Sequence, residues 1–347
     1  MIKQLVILLA IGIAVLCLLL FILTCYVVSQ RWRSKRQCLL ISNYITKHAD
    51  DWFDYLINEK ENQAIIKPTN KQDFAAVEEI LIKYIKNVSS EELTSRITMF
   101  ANLYLVDYYQ KKLRHLRSSV RLNTLYRIID FRMDRLYEYV AQMIDSKKKY
   151  TNQEYIYMYK IAIMHQPERI HRLLLHSTMN IGEYEYRQLL LLLSKKDREP
   201  LFASFDRLPV ALRYALINAI GEESDRDQIT FLERLIDSDD SEMRIRSLKA
   251  ISTMGTVSDL ERYMPIMDSN FWEERLMLAK IFNYFPVEQV SGPLQKLLTD
   301  KEWWVRYQAA KSLGNSANGK EILHQFIQTT DDPYGKEMAN NVLQESY

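Results

Sequence analysis

The chain has 347 residues, 48% of them apolar and 26% charged, and a formal net charge of +2. Only 8 glycines and 8 prolines occur, too few for a β-rich or α/β protein of this length and in keeping with an all-helical one. The three cysteines, Cys17, Cys25 and Cys38, sit near the N-terminus. That excludes a disulfide framework or a Cys-based zinc site in the rest of the chain and fits a reducing compartment.

The first element is the apolar run Leu5–Val28, "LVILLAIGIAVLCLLLFILTCYVV", which holds no charge. As a helix it extends roughly 36 Å, enough to cross a hydrocarbon core of about 30 Å with some tilt. A cleaved signal peptide has a shorter apolar core and a small-residue cleavage site. No Ala-x-Ala pattern comes after it here, and Thr24 stands before Cys25 where a lipoprotein signal carries Gly, Ala or Ser. Residues 1–30 are therefore expected to be a retained transmembrane anchor. Lys3 precedes the run; Arg31, Arg33, Lys35 and Arg36 come after it, with no acid until Asp50. The positive-inside rule puts that cluster and the whole body in the cytoplasm and the N-terminus outside, with Tyr26 and Trp32 near the headgroups.

Residues 31–199 read as helical without a sharp repeat. "DFAAVEEILIKYIKNV", Asp73 to Val88, is amphipathic, and the next helix opens with a capping signal, Ser89 or Ser90 ahead of Glu92 and Leu93. "RLNTLYRIIDFRMDRLYEYVAQMI" continues in this way, and "QPERIHRLLLHSTMNIGEYEYRQLLLLLSKK" reads as a further helix pair. Breaks fall near Lys67–Lys71, Lys147–Asn152 and Ser194–Pro200, and no strand alternation is present. The region is expected to be divergent helical repeats continuous with the C-terminal third of the chain, or else a separate helical bundle.

Charge is uneven. Residues 111–149 hold 11 Lys or Arg against 4 acids, whereas residues 197–347 hold 17 against 25. Tyr126, Phe131 and Tyr137 are interleaved with the basic stretch. Its 111–135 part is a candidate surface for anionic lipid, nucleic acid or an acidic protein, unless its cations face water or pair internally. From residue 37 on the net charge is −3, which argues against a nucleic-acid partner on bulk charge. His165, His171 and His176 are spaced by six and five, so they do not stack on one helix face, and neither a His-Glu-x-x-His nor a Gly-x-Ser-x-Gly motif occurs. No catalytic residue, metal or cofactor is expected.

From about residue 200 the chain repeats itself every 31 residues. Arg213, Arg244, Arg275 and Arg306 mark the period. Four positions after each stand Ile217, Leu248, Ala279 and Ala310; seven after, Ile220, Ile251, Phe282 and Leu313; twelve before, Leu201, Leu232, Tyr263 and Leu294. Asp206, Asp237 and Asp268 come seven before the first three arginines and Asp300 six before the fourth. A fixed period of this size means a solenoid, each unit reading as two helices. Gly221, Gly255 and Gly314 are expected to end helices in the left-handed conformation.

The pattern "L..LL.D....VR..AA..LG" in residues 294–314 resembles the HEAT repeat family. The units at 201–221, 232–255 and 263–282 match less fully; the third lacks the glycine and has Glu274 where Val305 stands. The resemblance implies antiparallel helix pairs stacked into a superhelix over residues 200–347, ending in a capping half-repeat. It also implies that Asp206, Asp237, Asp268 and Asp300 with Arg213, Arg244, Arg275 and Arg306 form a structural ladder between neighbouring units. "GNSANGK", Gly314 to Lys320, imitates a phosphate loop, but it comes after a helix instead of a strand, and Glu321 stands where Ser or Thr would bind magnesium.

Two rows suit binding. Lys249, Lys280 and Lys311, with Asn218 before them, lie five positions after the arginines and line the second helices, the concave side in the HEAT family. Neighbouring helices stand about 10 Å apart, so the row could receive an acidic peptide. Trp272 and Trp303 are 31 apart and flanked by Phe271 and Trp304. The expectation is an all-α, single-pass membrane protein whose cytosolic solenoid is a non-enzymatic scaffold. Its expected partners are proteins, with membrane-embedded or envelope-assembly proteins suggested by placement alone. The alternatives are an enzyme of HEAT-like fold and a lipid or nucleic-acid adaptor acting through residues 111–135.

Overall fold

A computed structural model describes residues 2–58, 66–175 and 181–345; among them there are helices and no strand. The chain forms two compact units, 1–165 and 166–347. The first holds α1 (Ile2–Lys47), α2 (Ala49–Leu56), α3 (Lys71–Asn87), α4 (Glu91–Tyr104), α5 (Val106–Leu113), α6 (Ser118–Asp130), α7 (Tyr137–Asp145) and α8 (Asn152–His165). The second holds α9 (Pro167–Leu175), α10 (Glu183–Leu190), α11 (Lys195–Ala203), α12 (Val210–Glu223), α13 (Ile229–Leu235), α14 (Ser241–Met254), α15 (Trp272–Ile281), α16 (Val287–Leu298), α17 (Trp303–Gly314), α18 (Gly319–Thr329) and α19 (Pro333–Glu345).

Helix α1 is long and apolar enough to cross a membrane. It does not stop at the end of the apolar run; it continues through the basic cluster to Lys47, about 69 Å in all at 1.5 Å per residue. Its last turns pack on α3, where Tyr44 and Ile45 lie against the core and the Tyr44 hydroxyl donates to the Ile66 carbonyl at 3.0 Å. That burial pushes the Tyr44 phenol up to about 12. Helix α3 starts where Asn70 accepts from the Gln72 and Asp73 amides while Asp73 accepts from the Asn70 amide, a reciprocal cap. Ser90, not Ser89, caps α4 by accepting from the Leu93 amide. The core of this unit is aromatic: Trp52, Phe100, Tyr109 and Phe131 are fully buried, and Trp52 meets Phe100 edge-on at 4.9 Å.

In the second unit α10, α12, α14, α15, α17 and α19 pack each on the next, and α13, α16 and α18 pack against that row. The 31-residue period is the imprint of this row. Ile217, Leu248, Ala279, Ala310, Ile251, Phe282 and Leu313 are wholly buried, and so are Leu201, Leu232 and Tyr263 in the other layer. One unit departs from the helix-pair plan. Around Tyr263 the first helix is replaced by two 3-10 turns, Leu260–Arg262 and Met264–Asp268. Pro265 lacks the amide that an α-helical bond would need there.

The glycines divide differently from expectation. Gly255 caps α14 at φ +65° in the left-handed region. Gly221 and Gly314 instead lie inside helices. A Cβ on Gly221 would meet the Ala250 Cα at 2.9 Å, and one on Gly314 would meet a Val342 methyl at 3.0 Å. Both allow consecutive row helices to close on each other, and the left-handed cap of α12 falls to Ser224 at φ 51°.

Candidate docking face

The repeated arginines fix how the row helices sit. Arg244 reaches back with Nη1 to the carbonyls of Ser238 (2.8 Å) and Asp239 (3.2 Å), closing the turn before its own helix. Its Nε donates forward to Glu274 on α15 at 2.7 Å. Arg275 repeats this, with Nη1 on the Ser269 carbonyl (2.7 Å) and Nε and Nη2 on both oxygens of Asp300 (2.6 and 2.9 Å). Arg306 holds the carbonyls of Asp300 and Lys301 at 2.8 and 3.1 Å. Burial pushes the Asp300 carboxyl up, but the Arg275 guanidinium and the Glu302 amide outweigh it and hold the group below its usual range.

The aspartates divide. The Asp300 carboxylate pairs with Arg275 of the ladder and its main-chain carbonyl accepts from Arg306, whereas Asp237 pairs with Arg262 and Asp268 with Lys296, both at the surface. Asp206 is exposed. Among the described residues Arg213 makes no ion pair, and the buried Nε atoms of Arg213 and Arg306 have no hydrogen-bond partner. The same device stands in the first unit. Arg121 reaches back to the carbonyls of His115 and Leu116 (2.7 and 2.8 Å) and forward to Glu154 (2.6 and 3.2 Å). An aromatic ring lies against three of these guanidinium groups: Tyr150 on Arg121, Phe271 on Arg244 and Tyr334 on Arg306, at 5.3–5.5 Å.

With the helices so placed, each begins a stripe at i, i+4 and i+8, which shares one face. The stripes are Val210, Tyr214 and Asn218 on α12; Ser241, Ile245 and Lys249 on α14; Trp272, Leu276 and Lys280 on α15; and Trp303, Tyr307 and Lys311 on α17. All twelve side chains are exposed or half-buried. On α17 the alignment is direct: Trp303 stacks on Tyr307 at 5.2 Å with planes 7° apart, and the Lys311 ammonium lies 5.9 Å from the Tyr307 ring. Trp304 meets Trp303 edge-on at 4.7 Å and is 57% exposed.

The two ends of this face differ. At α12 it is closed by a polar network: Asn218 and Arg246 both donate to Glu183 (2.7 and 2.5 Å), Arg246 covers the Tyr214 ring, and the Tyr214 hydroxyl donates to Asp240 at 2.9 Å. Asn218 and Lys249 also border a cleft of about 180 Å³ shared with Arg187, Glu222 and Thr253. From α14 to α17 the face is open, and among the described residues none of the Lys249, Lys280 and Lys311 ammonium groups makes an ion pair. The middle row, Tyr214, Ile245, Leu276 and Tyr307, was missed in the sequence. Its signal is simple: each residue directly follows one of the periodic arginines.

The basic 111–135 segment looks different in three dimensions. Lys112 and Arg127 share Glu78 (3.3 and 2.8 Å), Arg121 holds Glu154, Arg132 meets Glu91 (3.2 Å), Arg114 donates to the Tyr139 hydroxyl (3.1 Å) and Arg135 to the Asn102 carbonyl (3.0 Å). His165 lies against Tyr137 and His171 bonds Ser204; His176 is outside the described residues. Among the described residues no three His, Cys, Asp or Glu side chains converge as metal ligands. Residues 291–318, which span most of α16, all of α17 and the turn after it, match the family model of the HEAT repeat. No curated protein matches the chain.

Proposed function

We propose that this chain is a membrane-anchored, non-enzymatic helical-repeat scaffold that holds protein partners at the cytoplasmic face of the membrane. The observation that carries the reading is the open part of the second-helix face. It offers Trp272, Trp303 and Trp304 with Leu276 and Tyr307, bordered by three lysines that make no ion pair among the described residues. Aromatic residues on an exposed, rigid surface supply contact area at low entropic loss, and a free cation row selects acidic partners. The HEAT repeat at 291–318 supports a role in protein interaction. The Arg31, Arg33, Lys35 and Arg36 flank supports a cytoplasmic body. Confinement to the membrane surface raises the effective concentration of any partner held there.

The test is crosslinked affinity purification of the full-length protein from membranes beside a Lys249→Glu, Lys280→Glu, Lys311→Glu variant of unchanged helicity and melting temperature. A protein held by the wild type should be lost from the variant at least about tenfold. Equal recovery from both would remove the lysine row from the docking face.

A further inference from the structure

Two basic clusters of the first unit differ in how their cations are engaged. Those of the basic 111–135 segment are mostly engaged inside the chain, by Glu78, Glu154, Glu91, Tyr139 and the Asn102 carbonyl. Those of the cluster after the apolar run are not: Arg31, Arg33, Lys35 and Arg36 are fully on the surface of α1, and among the described residues none has an ion-pair or hydrogen-bond partner. No acid occurs between Val28 and Asp50.

Because α1 is unbroken, the positions of these four cations are set by helix geometry. At about 100° per residue they lie near 0°, 200°, 40° and 140°, spread over more than half of the circumference. From Arg31 to Arg36 the rise is about 7.5 Å, close to the thickness of one headgroup layer. Trp32, 77% exposed, stands inside the same layer, where an indole ring anchors at an interface.

We propose that these four residues form a collar that binds anionic phospholipid headgroups around α1, and that this collar, rather than the 111–135 segment, is the anionic-lipid site of the protein. The proposal rests on the reading of α1 as a membrane anchor. The apolar run directly before the collar presents the cations to headgroups of the leaflet they enter, so phosphate held in a bilayer is the ligand. Four uncompensated cations in one layer neutralise several headgroups at once, and each adds severalfold to the preference for an anionic lipid.

The test offers full-length protein in mild detergent equimolar phosphatidylglycerol and phosphatidylcholine and measures the lipid retained after size exclusion. Retention should favour phosphatidylglycerol by about tenfold or more and fall as salt is raised. An Arg31→Gln, Arg33→Gln, Lys35→Gln, Arg36→Gln variant should bring the ratio close to one. A Lys111→Gln, Arg117→Gln variant, which removes exposed cations of the other segment, should keep it. A wild-type ratio near one, a ratio that survives in the collar variant, or one lost in the second variant would each overturn the proposal. Flotation on vesicles of phosphatidylcholine alone separates the two readings. Protein that does not float loses the anchor and the collar together; protein that floats with a ratio near one loses only the collar.

Discussion

Asp300 is the most connected carboxylate of the ladder, bridging α15 and α17 through Arg275 and sitting with its side chain 8% exposed. Its pKa is lowered in the folded state, so the sign of its pH dependence is fixed. Stability from the pair is fully present above the unfolded value, near 4, and is lost as pH falls through the lower folded value. Asp300→Asn should therefore cost about 3–5 kcal/mol at neutral pH, because it strands a buried guanidinium. It should also flatten the fall in melting temperature of the second unit between pH 5 and pH 3. Circular-dichroism melts of both proteins across that range check it; parallel curves would mean that Asp300 does not carry the acid sensitivity. The arginines were legible from their spacing, and Asp300 with them, but the acceptors Glu274 and Glu154 were not. The carboxylate at the seam lies 25 residues on for Arg275, 30 for Arg244 and 33 for Arg121, since any acid that reaches the guanidinium serves.

At the scale of elements, what the period revealed was the packed row. Helices α12, α14, α15 and α17 repeat because each must bury the same two positions against its neighbours, and burial tolerates little variation in size. The partner layer was less legible: Pro265 turns one of its members into 3-10 turns, which the apolar pattern alone does not betray. The roles of Gly221 and Gly314 were hidden for a related reason, since a glycine ending an apolar run looks like a cap whether it caps or admits a neighbouring helix. This distinction has a measurable consequence at α12. Gly221→Ala places a methyl against the α14 backbone and should destabilise by about 1–3 kcal/mol. Ser224→Gly, three residues on, relieves a left-handed non-glycine residue and should stabilise by up to about 1 kcal/mol. Denaturant unfolding of the two single variants reads both; destabilisation by Ser224→Gly, or none by Gly221→Ala, would contradict the assignment.

At the scale of the whole molecule, the apolar run announced itself in the sequence, but the way it joins the body did not. The sequence puts the end of the anchor at residue 30, and only the structure shows α1 continuing through the basic stretch to Lys47. Residues 29–40 are exposed helix, about 18 Å long, before Tyr44 and Ile45 lodge against the core of the first unit. The helix is continuous here, so the anchor proposed above would hold the first unit at a fixed height and angle. Spin labels at positions 28 and 111, in a background with the three cysteines replaced by serine, both report on this unit alone. The distance distribution between them should be narrow. Insertion of Gly-Gly-Ser-Gly between Gln37 and Cys38 should broaden it by several ångströms, because the inserted segment samples many conformations where the helix samples one. The first unit should keep its melting temperature in that variant, since the Tyr44 and Ile45 contacts lie beyond the insertion. A distribution already broad without the insertion would show that α1 bends between residues 29 and 40, and the fixed mount would have to be abandoned.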